Sequence, residues 1–103
     1  MLYHKRGKSR VVGREKSPVQ LEKVFKSVAH HHRLNILNLL HAEPWLSVHT
    51  ISQRLSIGYL NTSDHIRKLY LAGLVIKKAK GTSVVHLVTK RGEDVLVFCK
   101  KLK

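Results

Sequence analysis

The chain has 103 residues, of which 20 are Lys or Arg and 6 are Asp or Glu, so its formal net charge is +14 with its eight histidines neutral. This length fits one small domain. The charge favours a polyanionic partner and says little about the fold. The single cysteine, Cys99, excludes an intrachain disulfide. No apolar run approaches the ~20 residues that span a bilayer. We therefore expect a cytoplasmic protein with no membrane partner.

Residues 1–17 are expected to form a flexible basic arm that precedes a domain spanning residues 18–103. Six Lys or Arg residues stand there against the single acidic residue Glu15, and glycines and serines interrupt any periodicity. Such an arm could follow DNA phosphates or enter a minor groove. It could equally be a solubilising tail.

Two helices are predicted after this arm. The first begins at Pro18, with Ser17 as its cap. Its apolar residues recur at helical spacing, namely Leu21, Val24, Phe25 and Val28. The second helix is apolar over a wide face between Leu34 and Leu40, which predicts a central buried helix that ends before Pro44.

A helix-turn-helix pattern follows. Ser47 suits the cap of a third helix that runs to about Leu55. The turn is predicted at residues 56–58, and the next helix, the candidate recognition helix, over about residues 59–72.

Two details of this region are also predicted. We expect Gly58 to let the backbone change direction and to leave room for close helix packing. We expect the candidate recognition helix to bury either Leu60 or Thr62 in its first turn.

A short hairpin and a last helix complete the pattern. Two β-branched runs within residues 75–88 predict a wing whose tip lies at residues 80–83. Thr89 suits the cap of a final helix that starts at Lys90 and runs to about Leu102. The predicted fold is therefore mainly α with a small β-hairpin, a winged helix-turn-helix of order α-α-α-α-β-β-α.

Three stretches resemble the ArsR (arsenic-repressor) family of winged helix-turn-helix regulators. Residues 27–40 are similar to the family's "L-A-D-P-T-R-L-R-I-L-x-L-L" opening, and residues 46–55 to its "L-S-V-x-E-L-A-x-x-L" helix. Residues 63–75 carry the most specific match, to "S-x-H-L-K-x-L-x-x-A-G-L-V". The resemblance implies this fold, dimerisation and DNA binding.

The chain departs from the family pattern at two places. Members that sense metals commonly carry a Cys-x-Cys pair where this chain has Ser47 and His49. His30 and His31 replace the usual Asp-Pro at the start of the second helix. The resemblance therefore does not imply metal sensing through thiolates.

The N-terminal end of a recognition helix normally reads bases in the major groove. Asn, Arg and hydroxyl side chains can pair with base edges there. The base-reading candidates are Tyr59, Asn61, Thr62, Ser63 and Arg67. Lys and Arg side chains on the helix-turn-helix and the wing would neutralise phosphates. The phosphate candidates are Arg54, Lys68, Lys77, Lys78 and Lys80.

Two residues of this helix have alternative interpretations. Asp64 could accept a hydrogen bond from a cytosine, favour the positive end of its helix, or hold Arg67 one turn on, and the last two are preferred. His65 could contact a phosphate or be a partly buried helix residue.

A two-fold protein suits paired half-sites on duplex DNA. The first and last helices have surplus apolar residues that predict a homodimer interface, although they could instead cover their own core. The candidates are Leu21, Phe25, Val95, Phe98, Cys99 and Leu102.

No metal, cofactor or small-molecule substrate is predicted. The consecutive residues His30, His31 and His32 should point in different directions around a helix start, which disfavours one shared ion. No catalytic constellation or phosphate loop is visible, so we do not expect an enzyme.

The sequence predicts a homodimeric, sequence-specific transcriptional regulator of double-stranded DNA, acting as a repressor in the cytoplasm on the nucleoid. The alternative is an architectural or RNA-binding winged-helix protein that uses charge without reading bases.

Overall fold

A computed structural model describes residues 16–102, which form five helices and one antiparallel two-stranded sheet. The elements are α1 (Pro18–Val28), α2 (His31–Ala42), α3 (Val48–Leu55), α4 (Tyr59–Leu71), β1 (Val75–Lys80), β2 (Ser83–Val88) and α5 (Lys90–Lys101). The predicted winged helix-turn-helix architecture is confirmed. Of the basic arm predicted over residues 1–17, residues 1–15 lie outside the part of the chain that the structure describes. Within residues 16–102, no helix is long and apolar enough to cross a membrane.

Hydroxyl side chains begin three of the helices, as predicted. Ser17, Ser47 and Thr89 each accept a hydrogen bond from the backbone N–H three residues further on. These bonds satisfy N–H groups that a helix leaves unpaired at its start. The first turns of α1, α3 and α5 are therefore encoded locally.

The central helix is α2, which packs against the four other helices and against β2. It buries Ile36, Leu37 and Leu40 completely or nearly so. The rest of the core comes from α3, α4, the link between α4 and β1, the start of β1, and α5: Ile51, Ile66, Leu69, Leu74, Val75 and Leu96. This packing fixes α4 against the body through one face and leaves its other face open.

The prediction for Gly58 is wrong. Its φ is −55°, and a Cβ placed on it would meet no atom within 4 Å. The residue with left-handed backbone in this turn is Ser56, with φ of 55°. Close packing instead needs Gly92 of α5, where an added Cβ would lie 2.5 Å from the backbone oxygen of Leu74.

The wing is a regular hairpin whose strands pair from Val75 opposite Val88 to Lys80 opposite Ser83. A bridge to the segment before α3 holds it to the body. The backbone N–H of His86 donates to the oxygen of Leu46 (3.0 Å), and that of Trp45 donates to the oxygen of His86 (3.0 Å). The His86 ring is only 1% exposed, and its Nδ1 lies 2.8 Å from the same Leu46 oxygen. The hairpin is thereby fixed beside α4.

Candidate nucleic-acid interface

The N-terminal half of α4 presents polar side chains to solvent. Tyr59 and Asn61 are exposed, Ser63 is half-buried, and Arg67 is exposed one turn further on. These four of the five base-reading candidates are accessible from outside the protein. The open face of α4 therefore has the donors and acceptors that base edges require.

Thr62 does not belong to this set. It is 0% exposed, and its hydroxyl donates to the backbone oxygen of Gly58 at 2.9 Å. The side chain is committed to the start of its own helix and to the core. The prediction that Thr62 reads bases is therefore wrong. We expected either Leu60 or Thr62 to be buried in the first turn of α4, and the buried residue is Thr62.

Leu60 takes the outward position instead and is 81% exposed, beside Tyr59 and Asn61. An apolar side chain on a recognition helix can contact a thymine methyl group. Leu60 was not among the predicted site residues, because its apolar character favoured the core. Its position two residues before Thr62, which places it on the side of α4 opposite the buried stripe of Thr62, Ile66 and Leu69, was the available signal.

Asp64 binds two basic side chains on the same helix. Arg67 Nη2 lies 3.0 Å from Asp64 Oδ1, and Lys68 Nζ lies 3.1 Å from Oδ2. Hydrogen bonds from Arg67 and Lys68 lower the pKa of Asp64, so its carboxylate is charged at neutral pH. This geometry agrees with the interpretation of Asp64 as the residue that orients Arg67.

The three wing lysines do not lie on one face. Successive strand residues alternate between faces, so Lys78 and Lys80 share one side and Lys77 lies on the other. The Nζ atom of Lys77 lies 4.8 Å from the centre of the Tyr70 ring of α4, a cation–π distance. Lys77 thus links the wing to α4, whereas Lys78 and Lys80 point away from that contact.

Every carboxylate within residues 16–102 is paired with a basic side chain. Each of the five acidic residues within 16–102 has a basic partner. The pairs are Glu22 with Lys26, Glu43 with Arg54, Asp64 with Arg67 and Lys68, Glu93 with His41, and Asp94 with Lys90. Arg54, a phosphate candidate, is therefore an exposed member of an ion pair, and such pairs are weak.

Four imidazole rings cluster where α2 meets α4. The ring of His65 lies 4.5 Å from that of His30 and 5.6 Å from that of His32, and His31 lies 4.2 Å from His32. The expectation that His30, His31 and His32 point in different directions is wrong, because their three rings lie within 5.2 Å of one another, and His65 of α4 is a neighbour of His30 and His32. Within residues 16–102, no group of three or more His, Cys, Asp or Glu is arranged to hold a metal ion.

His65 is a half-buried helix residue whose Nδ1 accepts a hydrogen bond from Arg33 Nε (3.2 Å). Desolvation lowers its pKa first of all, and the neighbouring charges of His30 and Arg33 lower it further. The same causes lower the pKa of His30, with desolvation again first and His31 next. These contacts favour the interpretation of His65 as a partly buried helix residue over a phosphate contact.

Arg91 supports α4 from the last helix. Its Nη1 donates to the backbone oxygen of Ala72 at 2.9 Å, just beyond the end of α4. A cation at a helix C-terminus satisfies a free carbonyl and complements the helix dipole. Arg91 therefore helps to fix the end of α4.

The six residues predicted for a dimer interface all line one groove between α1 and α5. Its volume is about 480 Å³, and nearly all of its surface is apolar. At its centre, the Phe25 and Phe98 rings meet edge to face at 6.4 Å. Leu21, Phe98 and Leu102 remain exposed in one copy of the chain. The structure therefore brings together Leu21, Phe25, Val95, Phe98, Cys99 and Leu102.

Comparisons with known proteins agree with this geometry. Residues 30–77 match the family model described as "Bacterial regulatory protein, arsR family". No curated protein matches the chain.

Several solved structures share the fold. HlyU from Vibrio cholerae is 26% identical with a TM-score of 0.73, over 85% of this chain and 96% of that one. A homodimeric winged helix-turn-helix DNA-binding domain from Mycobacterium bovis is 22% identical with a TM-score of 0.69, over 85% of this chain and 91% of that one. The repressor PagR of Bacillus anthracis is 23% identical with a TM-score of 0.69, over 81% and 99%. Residues 30–77 therefore resemble the arsR-family model, and the chain has the winged helix-turn-helix fold of these solved structures.

Proposed function

We propose that the chain is a homodimeric repressor that binds specific sites on double-stranded DNA. The observation that carries the proposal is the open face of α4, where Tyr59, Asn61 and Arg67 are exposed beside the lysine-bearing wing. In this proposal α4 enters the major groove and the wing lies on the flanking backbone.

Affinity and specificity come from different side chains. Lys78 and Lys80 of the wing, with Lys68 and Arg54, would meet phosphates and release counterions. Asn61 and Arg67, both exposed on α4, would pair with adenine and guanine edges, and Ser63 would serve several bases. Asp64 would hold Arg67 in place until the guanidinium meets a base.

The apolar groove between α1 and α5 supports dimerisation. Apolar side chains such as Phe98 and Leu102 would pack on their counterparts in a second copy, and the pair would present two α4 helices about one DNA turn apart, ~34–36 Å. Occupation of such a site within a promoter would block transcription. The place of action would be the cytoplasm, on the nucleoid.

Selection of bound duplexes from a random pool tests the proposal. We expect enriched palindromes whose affinity at physiological salt exceeds that of scrambled duplexes by about 10³-fold or more. A ratio near one would instead favour an architectural protein, and equal binding of RNA would favour an RNA-binding one. Either result would contradict the proposal.

A further inference from the structure

A basic pocket lies where α1, α2 and α4 meet, apart from the exposed N-terminal half of α4. Its volume is about 380 Å³, within the range of sites that hold small molecules. The lining residues are Lys23, Lys26, Ser27, Arg33, Lys68, Leu71 and Ala72.

Four of these residues are cations from three different helices, and no carboxylate lines the pocket. Two carboxylates pair with the lining cations: Glu22 lies 2.8 Å from Lys26, and Asp64 lies 3.1 Å from Lys68. The four cations outnumber these two carboxylates, and Asp64 is shared with Arg67, so the pocket carries a net positive charge. A ligand with two negative charges would complement it.

Arg33 is held in place by contacts that use only part of its guanidinium. Nη1 donates to the backbone oxygens of Lys26 (3.2 Å) and Ser27 (3.0 Å), and Nε donates to His65. The N–H groups of Nη2 have no hydrogen-bond partner among residues 16–102. A fixed guanidinium with free donors suits phosphate oxygens, because little side-chain entropy is lost on binding.

The wall of the pocket is mostly apolar. Leu71 and Ala72 from the end of α4 contribute to it, together with the aliphatic stems of the lysines. Leu71 is 68% exposed. An anion that carries an apolar group would therefore cover more of this surface than a bare inorganic ion.

We propose that this pocket binds a small organic phosphate, a phosphate monoester with an apolar body. A phosphate monoester carries about −1.5 to −2 charges at pH 7, which complements the positive charge of the pocket. Its oxygens would meet Lys23, Lys26 and Arg33, and its body would lie on Leu71. The site contains none of the proposed base-reading residues, shares only Lys68 with the proposed phosphate contacts, and requires no DNA.

Calorimetric titration of the full chain without DNA tests the proposal, with phenyl phosphate, inorganic phosphate and phenol as probes. We expect phenyl phosphate to bind most tightly, inorganic phosphate more weakly, and phenol not at all. The double variant K23Q/K26Q should lose about tenfold or more in phenyl phosphate affinity, since charge-assisted hydrogen bonds are removed. K100Q/K101Q on α5 removes the same charge from exposed positions and should change affinity by less than about twofold.

A third variant separates the two parts of the ligand. Leu71→Asn should weaken phenyl phosphate and leave inorganic phosphate unchanged, because Leu71 contacts only the apolar body. If K23Q/K26Q and K100Q/K101Q lose phenyl phosphate affinity equally, the ligand is attracted by net charge alone, and the proposal is overturned. So would a wild-type chain that does not bind phenyl phosphate.

The backbone of DNA is the other possible source of phosphate. If Lys23 and Lys26 contacted DNA, K23Q/K26Q would lower the salt dependence of DNA binding by about two counterions compared with K100Q/K101Q. We expect the two variants to show the same salt dependence, and a difference of that size would overturn the proposal. Failure of specific DNA binding leaves the titration unaffected, so the two proposals fail independently.

Discussion

The ring of His65 in α4 lies 4.5 Å from the ring of His30 at the start of α2. Partial desolvation and neighbouring positive charges lower the pKa of both rings. In addition, Nδ1 of His65 accepts a hydrogen bond from Arg33, which requires that this nitrogen carry no proton. The junction between α2 and α4 is therefore stabilised by neutral histidines.

Acidification should destabilise the fold. Because the folded pKa values of His30 and His65 lie below 6.5, the unfolded chain binds more protons as the pH falls below 6.5. Their contribution to the free energy of unfolding is complete above pH 6.5 and is lost as the pH falls through the folded pKa values. The pKa of buried His86, lowered mainly by desolvation, adds to the effect in the same direction.

Urea denaturation at pH 7.5 and pH 5.5 measures this effect. We expect a lower midpoint at pH 5.5 and a smaller difference in the variant H30Q/H65Q, with a remainder from His86. His49 is exposed on α3 and serves as the control, since H49Q should keep the full pH dependence. If the difference between the midpoints at pH 7.5 and pH 5.5 is unchanged in H30Q/H65Q, the histidine cluster does not cause the pH dependence of stability.

Gly92→Ala should be strongly destabilising. The added Cβ would lie 2.5 Å from the oxygen of Leu74 and 2.6 Å from Cγ1 of Val88, so α5 would have to move away from the wing base. Overpacking of this kind costs roughly 1–3 kcal/mol or more.

Gly58→Ala is the matched control for this substitution. Its Cβ meets no atom within 4 Å and its φ is negative, so we expect a change of only about 0.5 kcal/mol. Thermal unfolding of both variants checks the pair. Similar melting temperatures would contradict the packing described for α5.

Most of the fold was predictable because its signals are local. Ser17, Ser47 and Thr89 mark three helix starts by their own side-chain hydrogen bonds. Helical spacing of apolar residues located α2 and α4, and β-branched runs located the wing. Such features depend on neighbours within a few residues, so one sequence is enough to read them.

The errors arose where distant residues decide the outcome. Thr62 and Leu60 lie two residues apart and therefore on opposite sides of α4, and the packing of α4 against α2 and α3 decides that the side of Thr62 is inside. Likewise, the grouping of His30 with His65 depends on how α4 packs against α2. The pairing of Arg91 with the end of α4 also joins residues far apart in sequence.

Asn61→Ala should reduce specificity. Asn61 is exposed in the first turn of α4, where an amide can pair with adenine. We expect the affinity for the selected duplex to fall by about 1–3 kcal/mol, while that for scrambled DNA stays the same. Competition binding at fixed salt measures both. Asn35→Ala, at an exposed asparagine of α2, should change neither, and equal effects of the two substitutions would contradict the assignment.

Replacement of the wing lysines Lys78 and Lys80 by Gln should weaken all DNA binding alike. Each phosphate contact contributes about 0.9 to the slope of log affinity against log salt, so K78Q/K80Q should reduce that slope by about 1.8. Titrations at several salt concentrations provide the slope. K100Q/K101Q removes the same charge away from the wing and should change the slope much less. If both variants reduce it equally, the wing makes no specific phosphate contact.

Phe98→Glu should abolish dimerisation. The Phe98 ring lines the apolar groove between α1 and α5 and contacts Phe25, so a carboxylate there would lose its hydration among apolar side chains when two copies meet. Val97 precedes it on α5, is similarly exposed and does not line the groove. We therefore expect wild type and V97E to sediment as dimers and F98E as a monomer, with F98E losing its preference for palindromes over single half-sites. A dimer that survives in F98E, or that dissociates equally in V97E, would place the interface elsewhere on the molecule.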